Sequence, residues 1–297
     1  MPESPADDDF LFEWLNADAG VFFRRGRLIE SMATPYQRLE VFETPQLGRM
    51  FRLDGNNMTS ERDEFFYHES LVHPAAIAHA APRSALIVGG GDGGSVEELL
   101  KHPTMKRVVM AELDAAVVDM ARTHFQSVHH GALADSRLDI RIGDGLAFLR
   151  STPEKFDLVL LDLTDPVGPA EPLYAADCFR AARNVLCEGG TFGLHLGSPF
   201  FQPERFVAIM SRLRAVFPVV RPYFVHIPLY GANWGMACAA LTTDPLALSA
   251  GDVDARLAER GIAGLRYFNG DVHRAGFALP NFVRTLLDKA APGAGCP

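Results

Sequence analysis

The stretch Ser84–Gly94, SALIVGGGDGG, decides the fold. An apolar run ends in a glycine cluster, and a helical stretch, SVEELLKH, follows at once. Strand, glycine turn and helix in that order are the opening unit of an α/β sheet. Downstream the unit repeats. Strand candidates recur as RVVMAEL (107–113), LDIRIGD (138–144), FDLVLLDLT (156–164) and GTFGLHLG (190–197). Helical stretches AAVVDMARTHF, LAFLR and AADCFRAARNVL lie between them. Apolar runs separated by helices predict a doubly wound, mostly parallel sheet. Two last runs, VVRPYFVHIP and WGMACAALTT, are joined by a loop too short for a crossover helix. They are expected to pair antiparallel at one edge.

Upstream of Ser84 the pattern is different. GRLIESMA, YQRLEVFET and GRMFRLDG, within residues 20–60, read as strands divided by Pro/Gly turn signals. They predict a small antiparallel sheet. A charged helix, SERDEFFYHESLVHPAAIAHA, follows, with Phe65, Tyr67, Leu71 and Val72 as its expected apolar face. After Asp252 come a short helix, the segment LRYFNGDVHRAGFALP and a terminal helix. The expected division is a disordered tail over 1–9, a β-domain over 10–60, an α/β domain over 61–290 and a frayed tail over 291–297.

A chain of 297 residues buries enough surface to need no disulfide or metal staple. Its net charge is −9 and it carries no basic run, which argues against nucleic acid and anionic membranes as partners. The four cysteines lack metal-ligand spacing and fit reduced thiols. No signal peptide or membrane-length apolar run is read, so a cytoplasmic protein is the expectation.

Two places carry chemistry. Gly89, Gly91 and Gly94 form G-x-G-x-x-G, which NAD enzymes and S-adenosylmethionine enzymes share. Asp92 stands inside that loop, where a carboxylate repels a pyrophosphate but suits a sulfonium or an ammonium. Glu112 ends the next strand, where an acid commonly accepts ribose hydroxyls. Asp144, at the third strand's end, reads either as a partner for an adenine amino group or as a helix N-cap. The second place is LVLLDLTDPVGPAEPLY (158–174), in which Asp162 and Asp165 follow a buried strand. By themselves they read equally as a working pair or as a cap and a turn. His195 reads either as hydrogen-bonded beneath a strand end, which is slightly favoured, or as a substrate contact.

Assembled, these residues resemble the polyamine aminopropyltransferase (spermidine synthase) family. The matching segments are YQRLEVFET (36–44), LDG (53–55), TSERDEFFYHE (59–69), ALIVGGGDGG (85–94), AELD (111–114), DG (144–145), DLTDPVGPAE (162–171), NWG (233–235) and LRYFNGDVHRAGFALP (265–280). The resemblance implies a seven-stranded class I S-adenosylmethionine-dependent transferase sheet behind an N-terminal antiparallel β-domain. It implies aminopropyl transfer from decarboxylated S-adenosylmethionine, a co-substrate, to a diamine such as putrescine, with no cofactor or metal. By the same resemblance Asp162 is the base and Tyr67 assists it. Gly89, Gly91, Asp92, Gln37, Glu112, Asp144 with Gly145, and Pro169 hold the nucleoside. His68 and Asp92 hold an amine, and Asp165 grips the far end of the diamine, with Tyr230 and Trp14 as walls and His195 nearby. Family members are usually homodimers or homotetramers.

Departures from the family pattern fall at Met58 and His195, where Gln is usual, at Gly197, where an acid is often found, and in the shortened loop 228–235. They leave the acceptor amine open. Met58 motivates an alternative, an amine N-methyltransferase using intact S-adenosylmethionine. A catalytically silent nucleoside- or polyamine-binding homologue is the third reading.

Overall fold

The structure, a computed structural model, describes residues 9–290. The tails expected over 1–9 and 291–297 therefore lie outside the described residues, Asp9 excepted. The chain starts with a two-stranded hairpin, β1 (Phe10–Trp14) and β2 (Gly20–Arg24). A four-stranded antiparallel meander follows: β3 (Arg27–Ala33), β4 (Arg38–Thr44), β5 (Gly48–Leu53) and β6 (Asn56–Ser60). The three runs read from the sequence are β3, β4 and β5. The hairpin and β6 were not expected, since their apolar alternation is short and interrupted by polar residues.

Helix α1 (Glu64–Ala78) joins the meander to the main sheet. It was expected to be amphipathic, yet all but two of its residues, Phe66 and Ala78, are buried. A surface helix needs a solvent face, and this one has none, because strands, helices and the C-terminal segment surround it. Buried charges on it are neutralised by partners. Glu69 accepts three backbone N–H groups, from Arg266, Tyr267 and Phe268, at 2.7, 2.9 and 2.7 Å. His73 meets the carboxylate of Glu98 at 2.9 Å.

The α/β unit runs β7 (Ser84–Gly89), α2 (Gly94–Leu100), β8 (Arg107–Glu112), α3 (Ala115–His124), α4 (Gln126–His129), β9 (Leu138–Ile142), α5 (Gly145–Ser151), β10 (Phe156–Asp162), α6 (Ala176–Val185), β11 (Leu186–Gly197) and α7 (Pro203–Arg214). Then come β12 (Val219–Ile227), β13 (Ala232–Ala240), α8 (Ala250–Glu259), α9 (Gly270–Gly276) and α10 (Asn281–Lys289). The seven strands lie in the order β12-β13-β11-β10-β7-β8-β9. Five are parallel, and β13 pairs antiparallel with both β11 and β12. The doubly wound sheet with an antiparallel edge is thus as read from the sequence.

Side chains alternate across the sheet with period two, and each face has its own core. Ile87, Leu158 and Leu160 pack with Leu71 of α1, whereas Leu86, Val88, Val159 and Leu161 pack with Phe179 of α6 and Phe206 of α7. From β7 the chain winds outward through β8 and β9, then crosses back to lay β10 on the other side of β7. That switch opens a crevice at the carboxyl ends of β7 and β10.

Candidate active site

Asp162 is the last residue of β10 and lies in register with Gly89, the last of β7. Gly89 has φ of +82°, and a Cβ there would fall 2.1 Å from the Asp162 carbonyl oxygen. Gly90 then donates its N–H to that oxygen at 2.9 Å. The glycine turn therefore clamps the backbone of Asp162 and leaves its carboxylate pointing into the crevice. Gly94 has a different duty. A Cβ on it would meet the ring of His68 at 2.2 Å, so glycine is what lets α2 start directly against α1.

His68 is buried, and its two ring nitrogens face Glu64 at 2.9 Å and Asp92 at 3.3 Å. Burial alone would depress its pKa, but Asp92 and Glu64 outweigh that and hold it well above the ordinary value. An imidazolium donating to both carboxylates follows. Burial pushes Asp92 up, yet His68 and the Gly94 backbone N–H reverse the sign and keep it ionised. Asp162 is raised, by burial first and by the Asp92 charge second, with His68 pulling the other way. Asp162 Oδ2, Tyr67 Oη and Ser95 Oγ are each buried without a hydrogen-bond partner. Buried polar atoms are normally satisfied, so an unpaired cluster in a crevice is poised for a ligand's donors.

One nitrogen of His68 and one oxygen each of Asp92 and Asp162 lie within 4.8 Å of one another. Metal ligation needs a free imidazole lone pair, and here both ring nitrogens are engaged by carboxylates. The set is better matched to an ammonium, which supplies donors and positive charge.

On the other side of the glycine turn, Gln37, Gly91, Glu112, Gly145 and Pro169 line the same cavity, joined by Met58. Burial pushes the Glu112 carboxyl up to about 7, although the Asp114 backbone N–H at 2.9 Å works against it. Gln37 and Thr34 reach down from the meander to the Asp114 carboxylate, at 3.3 and 2.7 Å. One bridge thus places a residue of the four-stranded sheet over the parallel sheet. A Cβ on Gly145 would lie 2.4 Å from Val88 Cγ1, so the turn into α5 also needs a glycine.

Tyr67, His68, Gly89, Asp92, Asp162 and Tyr230 complete the lining among the expected site residues. Four others are elsewhere. Asp144 does not line the cavity; its Oδ1 caps α5, accepting from Leu146 and Ala147 at 2.8 and 3.2 Å. Trp14, expected as a wall, is 69% exposed on β1. Asp165 points away from the cavity because the guanidinium of Arg205 on α7 holds it at 2.5 Å. His195 sits beneath the site. Trp234 Nε1–H donates to its Nδ1 at 3.3 Å, and its Nε2–H donates to the Leu163 carbonyl at 3.0 Å. Burial keeps His195 neutral, so it serves as a bracket under the 163–165 turn. Of its two sequence readings, the hydrogen-bonded one matches this placement.

Sequence reasoning missed Glu64, Ser95 and Arg205. Glu64 was visible in principle, since Glu-x-x-x-His puts both side chains on one helix face. For Arg205 no signal existed, because it stands on α7, on a different element far beyond Asp165 in the chain.

Comparison with known proteins agrees with this geometry. Residues 64–247 match the family model described as the spermine/spermidine synthase domain. The polyamine aminopropyltransferase of Nitrosomonas europaea is 48% identical over 98% of this chain and 90% of its own length. A spermidine synthase solved with the transition-state analogue AdoDATO superposes with a TM-score of 0.89 at 34% identity, covering 96% of this chain and 97% of that one. The spermidine synthase of Thermotoga maritima gives 0.86 at 33%, with 96% of each chain covered. With its doubly wound sheet, its acid-bearing glycine turn and this degree of identity over nearly its whole length, the chain belongs to the polyamine aminopropyltransferase (spermidine synthase) family of enzymes.

Proposed function

We propose that the protein transfers the aminopropyl group of decarboxylated S-adenosylmethionine to a diamine, putrescine being converted to spermidine, with release of 5′-methylthioadenosine. The observation that carries this reading is the unpaired carboxylate oxygen of Asp162, buried beside the Asp92–His68–Glu64 array. A protonated amine cannot attack. Asp162 takes its proton, the freed nitrogen lone pair bonds to the carbon beside the sulfonium, and the C–S electron pair leaves on sulfur. Tyr67 Oη orients the nitrogen, while Asp92, fixed by the His68 imidazolium, attracts the amine. Gln37, Glu112, Gly89, Gly91, Gly145 and Pro169 seat the nucleoside. Asp144 keeps one oxygen outside its cap and is available to the adenine amino group. Fixing both reactants in one crevice supplies much of the rate of a two-substrate displacement.

The test mixes pure protein with the donor and a panel of amines and follows methylthioadenosine. Release with a diamine is expected; release of S-adenosylhomocysteine from intact S-adenosylmethionine would instead establish the methyltransferase reading.

The same proposal takes 10–60 as an N-terminal β-domain and 61–290 as the catalytic domain, in a homodimer or homotetramer. Phe12, Trp14 and Phe22 of the hairpin are 44, 69 and 60% exposed, which suits burial against another copy. Light scattering after size exclusion should show a dimer or tetramer, and a monomer at micromolar concentration would refute the assembly. No helix among the described residues is long and apolar enough to cross a membrane.

A further inference from the structure

Leu163 and Thr164 line the cavity, but the next residue, Asp165, does not. Its carboxylate turns to α7 and meets Arg205 Nη1 at 2.5 Å. Among the described residues Arg205 pairs with no other carboxylate, and both side chains keep partial exposure, 25% for Arg205 and 36% for Asp165. Tyr174 and His195 lie close to the pair and burial keeps both neutral, while burial pushes the neighbouring Glu13 carboxyl up to about 7, so no other group competes strongly for Asp165 or Arg205. Asp165, the residue next to the cavity-lining Thr164, is therefore already neutralised by the protein's own cation.

We infer that Arg205 is a specificity-determining residue that competes with the acceptor's far ammonium for Asp165. This rests on the reading of the cavity as an aminopropyltransferase site. An acceptor with a second ammonium must displace the guanidinium from Asp165 before its far end is neutralised. An acceptor with an uncharged far end leaves the ion pair intact and bears no such cost. Arg205 therefore weakens binding of diamines selectively. It does not touch the reacting nitrogen, so its effect belongs in KM and not in kcat. Because the pair is partly exposed, water screens it and the competition is moderate rather than prohibitive.

The experiment measures KM and kcat at saturating donor for putrescine and for the amino alcohol of the same chain length. It uses the full-length enzyme and its Arg205→Gln and Arg205→Met variants, each checked by thermal unfolding so that a fold defect in one leaves the other to decide. Removing the guanidinium should lower the putrescine KM about tenfold, with kcat within about twofold and the amino-alcohol KM unchanged. A putrescine KM that stays the same or rises in the folded variants overturns the inference, as does an equal fall for both amines. If the native enzyme releases no methylthioadenosine with any amine, the proposed function itself fails. If it turns over and only the KM shift is missing, Arg205 alone has been misassigned.

Discussion

The proposed role of Asp162 as the base requires its ionised form, and its surroundings make ionisation harder. Burial and the nearby Asp92 carboxylate hold its pKa above the ordinary aspartate range, against the pull of His68. The sign follows directly. Activity is present above the raised pKa and is lost as pH falls through it, so the acid limb of kcat/KM for the amine should lie above the ordinary aspartate value. A pH profile of kcat/KM for the amine measures it, and a limb at or below the ordinary value would contradict the assignment. Asp162→Asn keeps the shape and removes the basicity. Its kcat should fall roughly a hundred- to ten-thousand-fold with the unfolding temperature little changed. Near-normal turnover would exclude Asp162 as the base. At this scale the sequence was partly legible: a carboxylate at a strand end and another in a glycine turn are local patterns. Asp165 was not legible, because its partner is on a different element and charge pairing across space has no local signature.

At the scale of elements, α1 organises the molecule. It delivers Tyr67 and His68 to the crevice on one side and uses Glu69 on the other. Three backbone N–H groups of the 266–268 segment depend on that one buried carboxylate. Glu69→Ala would leave all three without an acceptor, an expected loss of about 3 kcal/mol or more in urea unfolding. A loss under about 1 kcal/mol would show that the segment is held by other contacts. The helix itself was readable, but its environment was misjudged. Periodicity detects a helix with one wet face, whereas α1 is enclosed on every side and carries polar residues that are satisfied individually. For the central parallel strands the opposite holds: burial on both faces yields continuous apolar runs, which is why β7, β8 and β10 were found at nearly their true bounds.

At the scale of the whole molecule, the cavity is assembled from both sheets. Met58 and Gln37 come from the meander, Gly89 and Glu112 from the parallel sheet, and the Gln37–Asp114 bridge ties them. A ligand bound there contacts parts that separate on unfolding, so it should stabilise the fold by mass action. Methylthioadenosine at a hundred times its Kd should add about 2.7 kcal/mol and raise the unfolding temperature in proportion. A shift that is absent at saturating concentration would mean the cavity does not hold this nucleoside.

The sequence by itself determined the class of fold, the crevice and the principal polar residues facing it. Hydrophobic runs, glycine turns and acids at strand ends are encoded within about ten residues of one another, and the backbone geometry of a parallel sheet converts that order into position. Only the tertiary structure decided which of those acids are free. Asp162 is left unpaired by its neighbours, Asp92 is held by a histidine from α1, and Asp165 is taken by an arginine from α7. Those differences arise from electrostatic contacts between elements far apart in the chain, and such contacts exist only once the chain has packed.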